Sequence, residues 1–304
     1  MMARSRLGRW WAALLVTVCA AASAARADEP LRGTLTSVGS DTMSVLVTLW
    51  GAQFHAAHPD VRVQTQAAGS ASAPVALLEG AADIGMMSRP MSEAETAAFR
   101  MRFGYAPLRI TVAHDAIAIF VNPDNPLTRI TLAQVDAIWS RDRRCANAAG
   151  DDAVARGLLA NGRDSSSGTY ELFRETALCG GTYRPGVIAW PGNGAVIAAV
   201  AAQRNAIGYA GAGYVNALVK PLAIARDDAS AAFAPDAAAI GSGQYPLART
   251  LYVYVNRKPG SALSALPEAF LQYALSRQGQ RLLPRAGFVA LGDAELAAQR
   301  DALR

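Results

Sequence analysis

The sequence predicts an α/β fold with mostly parallel sheets. Short apolar strands alternate with amphipathic helices along almost the whole chain, and this alternation is typical of parallel sheets covered by helices. Turns rich in glycine and in hydroxyl side chains follow several of the strands. Sheets of this kind bind ligands beyond the carboxyl ends of their strands, so the fold class also predicts where a binding site lies.

The first part of the chain supplies three strands and three helices. The predicted strands are residues 35–39, 61–66 and 82–87. The first helix begins at Ser40 or Asp41, either of which can cap it. Its apolar face carries Met43, Leu46, Val47, Trp50 and Phe54. The second helix ends at Gly80, and the third begins with a capping box of Ser92 and Glu95.

Two long stretches are expected to cross between domains. Residues 108–113 and 116–121 both have strand character, and His114-Asp115 interrupts them without a glycine or proline turn. Residues 245–256 form a second long apolar strand. We interpret the first stretch as the passage from one domain to another, and the second as the return.

The region between these stretches repeats the alternation. The predicted strands are residues 157–161, 187–190 and 206–210. One helix begins at Thr131, a second follows Ser167, and a third follows Gly192-Asn193-Gly194. That last sequence is either a helix start facing a cleft or a simple turn. Two further helices, residues 263–277 and 278–283, complete the chain's predicted elements.

The N-terminus has the pattern of a signal peptide, residues 1–27. A positive segment with Arg4, Arg6 and Arg9 precedes an apolar stretch that ends near Ala25-Arg26-Ala27, a small-x-small cleavage site. The mature chain is expected to begin at Asp28. The net charge is +5 for the full chain and +1 for the mature chain, because the removed segment carries four arginines and no acid. The basic balance therefore predicts neither a nucleic acid nor a membrane partner.

Two cysteines remain in the mature chain, Cys145 and Cys179. In an exported protein an even pair indicates one disulfide, and the alternative is two separate thiols. A bridge would stabilise one domain and would take no part in any chemistry.

The stretch from Arg163 to Thr169 is the strongest indication of a ligand. It places an arginine, three serines and a glycine where a helix begins. The first turn of a helix offers unpaired N–H groups and the positive end of the dipole. Hydroxyls add donors, glycine allows close approach, and guanidinium fits a tetrahedral oxyanion. The pattern predicts a site for a small anion such as phosphate.

Three other turns are expected to reach the same cleft. They are Ser40-Asp41-Thr42, Gly69-Ser70 and Ser88-Arg89, and each follows a predicted strand. Because the ends of neighbouring parallel strands meet at one edge, the four turns together predict one shared site.

Three motifs resemble the periplasmic phosphate-binding proteins of high-affinity phosphate ABC importers. They are Arg163 with Ser167-Gly168-Thr169, the sequence from Asp83 to Pro90, and Ala206-Ile207-Gly208-Tyr209. The similarity covers essentially the whole mature chain. It implies a type II binding-protein fold of two lobes, each a mostly parallel sheet flanked by helices, joined by two crossing strands. Lobe I is expected to comprise residues 28–113 and 249–304, and lobe II residues 114–248.

The resemblance also implies a role for each residue that matches the family's motif. Thr42 and Met43 match the first loop, which gives a hydroxyl and a backbone N–H to phosphate, and Ser70 matches the second loop's serine. The second lobe's anion clamp matches Arg163, Ser167, Gly168 and Thr169. Ser40 and Ser88, from the same turns, complete the expected set together with Asp41 and Arg89.

One position departs from the family pattern. Where some members place an aspartate that accepts the proton of hydrogen phosphate, this chain has Arg89. Arg89 is expected either to contact the ligand, to form a salt bridge between the lobes or to hold Asp41. Asp41 is the candidate substitute for the missing carboxylate, and its alternative role is that of a plain helix N-cap.

The resemblance implies a periplasmic, monomeric binding protein that delivers phosphate to an inner-membrane ABC permease. The first alternative is the same fold binding sulfate, molybdate or a phosphonate, which Arg89 motivates. The second alternative is a secreted phosphatase, because hydroxyls cluster near an arginine. No metal site is expected, since the three histidines are scattered and none has a cysteine or glutamate at ligand spacing. No catalysis and no cofactor are expected either.

Overall fold

A computed structural model describes residues 30–145 and 152–304. The predicted signal peptide, residues 1–27, lies outside the described residues. The strands are β1 (Gly33–Gly39), β2 (Val61–Gln66), β3 (Ile84–Met87), β4 (Leu108–Val121), β5 (Arg129–Thr131), β6 (Leu159–Arg163), β7 (Ile188–Trp190), β8 (Ala206–Gly211), β9 (Lys220–Pro221), β10 (Ala223–Ala225) and β11 (Ala248–Val255). The helices are α1 (Asp41–Ala57), α2 (Ser72–Leu78), α3 (Glu93–Phe103), α4 (Leu132–Trp139), α5 (Asp152–Ala155), α6 (Gly168–Thr176), α7 (Asn193–Ala201), α8 (Ala237–Gly241), α9 (Ala265–Ala274), α10 (Arg277–Gln280) and α11 (Asp293–Leu303).

The main sheet runs through both lobes in the order β2-β1-β3-β11-β4-β8-β6-β7. In lobe I, β1 pairs in parallel with β2 and β3. In lobe II, β6 pairs in parallel with β7 and β8. The crossing strands β4 and β11 pair with each other and with their outer neighbours in antiparallel fashion. The prediction of two mostly parallel α/β lobes joined by two crossing strands is confirmed.

The crossing strand β4 is continuous, so the predicted interruption at His114-Asp115 is wrong. His114 exchanges two backbone hydrogen bonds with Val289, and its ring lies 3.0 Å from the Glu295 carboxylate. Asp115 lies opposite Arg249 of β11 in the strand register and is paired with it. Both polar residues have partners, and therefore the extended backbone continues through them.

Each lobe has its own hydrophobic core. The core of lobe I surrounds Trp50, Phe54 and Phe270, and that of lobe II surrounds Trp139 and Tyr209. Separate cores on either side of β4 and β11 allow two lobes to move as units. The residue boundaries given above for lobes I and II stay predictions.

The capping residues account for where two helices begin. Ser92 and Glu95 form the predicted capping box at the start of α3, and Thr131 forms another with Gln134 at α4. Both satisfy backbone N–H groups that a helix start leaves unpaired. Within the described residues, no helix is long and apolar enough to cross a membrane.

The predicted disulfide between Cys145 and Cys179 is present, and its two sulfur atoms lie 1.99 Å apart. It joins the loop that follows α4 to the turn that follows α6. The bridge therefore ties down the C-terminal side of α6.

Reduction of this disulfide is expected to destabilise the protein by about 3–4 kcal/mol, since the bridge closes a loop of 34 residues. Chemical denaturation of the oxidised protein and of a Cys145→Ser/Cys179→Ser variant measures the difference. An equal free energy of unfolding for the two proteins would contradict the prediction.

Candidate functional site

The four turns singled out in the sequence meet where the two lobes face each other. The hydroxyl oxygens of Thr42 and Thr169 are 3.2 Å apart across the cleft. A methyl group added to Gly168 would lie 2.3 Å from the Ser70 hydroxyl and 2.7 Å from that of Ser88. Loops from both lobes are thus in direct contact, as expected of one shared site.

Arg163 is the central cation of the cleft, at the carboxyl end of β6. It is only 2% exposed. Its Nη2 donates to the backbone oxygen of Pro191 at 2.8 Å, whereas Nε and Nη1 have no hydrogen-bond partner among the described residues. A carboxylate oxygen of Asp41 lies 3.5 Å from Nη1. Burial lowers the pKa of Arg163, and the nearby Asp41 carboxylate opposes that shift.

A group of aromatic residues holds the Arg163 backbone in place. The hydroxyl of Tyr209 accepts a hydrogen bond from the Arg163 N–H at 3.3 Å. Tyr209 stacks on Phe173 with ring centroids 3.8 Å apart, and its hydroxyl is 2.7 Å from that of Tyr183. Rigid support of this kind fixes where the guanidinium lies.

The serine hydroxyls are engaged by backbone N–H groups. Ser167 caps α6, because its hydroxyl oxygen accepts from the N–H groups of Thr169 and Tyr170 at 3.1 and 3.4 Å. The Ser70 hydroxyl accepts from the N–H of Ser88 at 3.1 Å. An oxygen that accepts in this way keeps its own proton available for a ligand.

Asp41 joins lobe I to lobe II. Its carboxylate accepts hydrogen bonds from the backbone N–H and the side-chain amide of Asn193, at 2.9 and 2.8 Å. The hydroxyl of Tyr214 donates to its backbone oxygen at 2.8 Å. Asp41 is the first residue of α1, and the N-cap is Ser40, so its alternative role as a plain N-cap is wrong.

Asn193 and Arg249 are two cleft residues outside the predicted set, although Gly192-Asn193-Gly194 is the helix start facing a cleft that was one of its two interpretations. Asn193 is buried and also donates to the Thr42 hydroxyl at 3.2 Å. Its place after Gly192 at a helix start was the available signal. The Nη1 of Arg249 donates to the Thr169 hydroxyl at 2.8 Å. The signal there was a single arginine inside an apolar strand.

Arg89 forms a salt bridge between the lobes, which was one of its three expected roles. Its guanidinium donates two hydrogen bonds of 2.7 Å to Glu95 of lobe I and forms an ion pair with Glu171 of lobe II. Burial lowers the pKa of Arg89, but the bonds to Glu95 and the two carboxylates more than offset this and raise it.

The backbone N–H groups of Met43 and Ser40 already have acceptors within lobe I, so the structure does not leave the Met43 N–H free as the expected donor to the anion. The Met43 N–H donates to the Ser40 backbone oxygen at 3.1 Å, and the Ser40 N–H donates to that of Met86 at 2.9 Å. The Met43 side chain is part of the lobe I core.

Replacing Glu171 with glutamine is expected to weaken anion binding about 3- to 10-fold, because it removes an ion pair that forms only when the lobes meet. Calorimetric titration with the anion measures the loss. Glu79→Gln is the matched control, because Glu79 is exposed at the C-terminal end of α2 and loses the same charge. Equal effects of the two changes would mean that general charge, and not the ion pair with Arg89, is responsible.

Comparisons with known proteins identify the family. A sequence model described as the PBP superfamily domain matches residues 24–278. The phosphate-binding protein PstS of Pseudomonas aeruginosa is 42% identical over 291 residues, covering 89% of this chain and 90% of its own. Protein SphX of Synechococcus elongatus is 28% identical, covering 92% of this chain and 85% of its own.

Solved structures show the same fold. An ABC-type phosphate transport receptor from Vibrio cholerae has a TM-score of 0.65 at 22% identity, covering 84% of this chain and all of its own. The high-affinity periplasmic phosphate-binding protein PfluDING, bound with phosphate, has a TM-score of 0.69 at 14% identity, covering 88% of this chain and 93% of its own. The sequence matches show that the chain belongs to the PBP superfamily and, within it, to the PstS phosphate-binding proteins.

Proposed function

We propose that this protein captures inorganic phosphate between its lobes and delivers it to an inner-membrane ABC importer. The observation that carries the proposal is Arg163, a buried cation with two N–H-bearing nitrogens that have no hydrogen-bond partner among residues 30–145 and 152–304. Leaving such donors unpaired costs about 1–3 kcal/mol each. A tetrahedral anion supplies the acceptors that these two nitrogens lack.

The proposed ligand contacts come from both lobes. They are Asp41, Thr42, Ser70, Ser88, Arg163, Ser167, Gly168 and Thr169. The start of α6 contributes N–H groups and the positive end of its dipole. Closure of the lobes around the anion excludes water and strengthens each charge-assisted bond. Arg89 acts through its salt bridge between the lobes and not as a ligand contact.

Phosphate is the favoured oxyanion because a carboxylate faces the cleft beside Arg163. Asp41 can accept the proton of hydrogen phosphate, whereas sulfate carries no proton at neutral pH and would meet repulsion from the same group. In this assignment Asp41 accepts the phosphate proton, which is the role that some family members give to an aspartate where this chain has Arg89. The assignment stands against the alternatives of sulfate and molybdate, which carry no proton for Asp41 to accept at neutral pH.

The proposal makes the protein a carrier and not a phosphatase. A phosphatase would need a nucleophile from the hydroxyl cluster near Arg163, and the Ser167 hydroxyl in that cluster already accepts two backbone N–H bonds as a helix cap. The relatives named above are a phosphate-binding protein and a transport receptor.

PfluDING is described as periplasmic, which supports the same location for this chain. We further propose that the mature protein acts as a monomer.

Calorimetric titration of the purified mature protein tests the function. Phosphate is expected to bind at micromolar concentration or below, and sulfate is expected not to compete at neutral pH. A folded protein that gives no heat with phosphate would refute the proposal. Turnover of a chromogenic phosphate ester that is lost in Ser167→Ala would instead favour the phosphatase.

A further inference from the structure

Arg249 and Asp115 form a buried ion pair on the two crossing strands. They lie opposite each other in the register of β11 and β4. The Nε of Arg249 donates to the Asp115 carboxylate at 2.8 Å, and Nη2 lies 2.7 Å from the same oxygen. The two side chains are 2% and 0% exposed. One edge of the guanidinium is thus fixed by a residue outside the anion site.

The remaining donors of Arg249 point to the two threonines of the cleft. Nη1 donates to the Thr169 hydroxyl oxygen at 2.8 Å, and Nη2 lies 3.5 Å from that of Thr42. Thr42 belongs to lobe I and Thr169 to lobe II, and their hydroxyls are 3.2 Å apart. Arg249 therefore reaches both hydroxyls only in the arrangement in which the lobes have come together.

The direction of these bonds decides what the threonines can offer. Guanidinium has donors and no acceptor, so each hydroxyl oxygen must accept from it. Thr42 accepts a further bond from the Asn193 amide at 3.2 Å. A hydroxyl whose oxygen already accepts has one proton left to donate, and that proton must point away from the guanidinium.

We propose that Arg249 is a positioning residue of the anion site. By donating to Thr169 and Thr42, it holds both hydroxyls with their protons turned away from the guanidinium, available to bound phosphate or to the neighbouring hydroxyl, and it does so only when the lobes are closed. This inference rests on the proposed function and adds a coupling between lobe closure and the preparation of the site. The alternative is that Arg249 serves only to pair with Asp115 and stabilise the crossing strands.

Two neighbours of Arg249 support this role. Asp115 supplies a counter-ion, which matters because the charge of Arg249 acts unfavourably on the charge of Arg163. Gly211 leaves room for the guanidinium, since a methyl group there would lie 3.1 Å from Nη2 and 3.0 Å from the Thr42 side chain. Asp115 therefore balances the charge of Arg249, and the free side of the guanidinium can donate to the two hydroxyls.

A double-mutant cycle separates the two roles. Phosphate affinity is measured by calorimetry for the unmodified mature protein, Arg249→Lys, Thr169→Val and the double variant. Lysine keeps the charge and can still pair with Asp115, but it lacks the fork that reaches the hydroxyls. We expect Arg249→Lys to weaken phosphate binding about 10-fold or more, and to cause little further loss once Thr169 is valine.

Additive losses, or phosphate binding by Arg249→Lys equal to that of the unmodified protein, would overturn the inference. Failure of the unmodified protein to bind phosphate would instead refute the proposed function itself. Should Arg249→Lys not fold, Asp115→Asn decides the question. It removes the carboxylate that fixes one edge of the guanidinium, so both phosphate affinity and the stability of the ligand-free protein are expected to fall. A purely structural role would lower the stability and leave the affinity unchanged.

Discussion

Replacement of Arg163 with glutamine is expected to abolish phosphate binding at micromolar concentrations while leaving the ligand-free protein folded. Loss of one member of a buried, hydrogen-bonded charge pair costs about 2–5 kcal/mol of binding energy, which corresponds to a roughly 30- to 5000-fold loss of affinity. The ligand-free protein is expected to lose less stability than this, because two nitrogens of this guanidinium have no hydrogen-bond partner within the described ranges. Removing a buried cation relieves part of its desolvation cost.

The two effects are measured separately, by calorimetric titration with phosphate and by thermal unfolding without ligand. Arg62→Gln is the matched control, since Arg62 is exposed on β2 outside the cleft and loses the same charge. A fall in ligand-free stability as large as the loss of binding energy would mean that Arg163 is mainly a structural residue.

Replacement of Gly168 with alanine is expected to prevent the lobes from closing and so to reduce phosphate affinity at least 100-fold. The added methyl group would lie 2.3 Å from the Ser70 hydroxyl oxygen and 2.8 Å from the Ser70 Cβ, far inside van der Waals contact. These atoms belong to the opposite lobe, and therefore opening relieves the clash without disturbing either core. The midpoint of thermal unfolding without ligand should change little.

Small-angle scattering with and without saturating phosphate measures closure, and calorimetry measures affinity. Gly194→Ala is the matched control, because it also lies in the first turn of a helix at the cleft and has nothing within 4 Å of an added methyl group. If Gly168→Ala contracts on adding phosphate as the unmodified protein does, the proposed contact between the lobes is not required for binding.

Local patterns were sufficient to predict the architecture and the four turns that meet in the cleft. Neighbouring residues determine the alternation of strands and helices. They also determine the capping box at Ser92 and the anion pattern from Arg163 to Thr169. Each depends on backbone geometry within one or two turns, where spacing in the sequence determines spacing in space. The disulfide between Cys145 and Cys179 followed from the cysteine count and the predicted export.

Contacts between distant elements could not be predicted in this way. Arg249 contacts Thr169 across 80 residues and Thr42 across 207, and nothing near Arg249 in the sequence indicates either partner. His114-Asp115 looked like a break because two polar residues interrupt an apolar run, yet their partners come from Val289, Glu295 and Arg249. A polar residue in a strand is accommodated when a remote group satisfies it.

The antiparallel pairing of β4 with β11 has a mechanical consequence for transport. The ladder runs from Ala248 to Val255 and shifts register between Leu251 and Tyr252. An irregularity of this kind disrupts the ladder locally and increases its twist, so we expect the bending between the lobes to concentrate there. The two lobes should therefore rotate about one axis. Phosphate would then be either enclosed in a closed conformation or released to solvent from an open one, with few stable conformations between them.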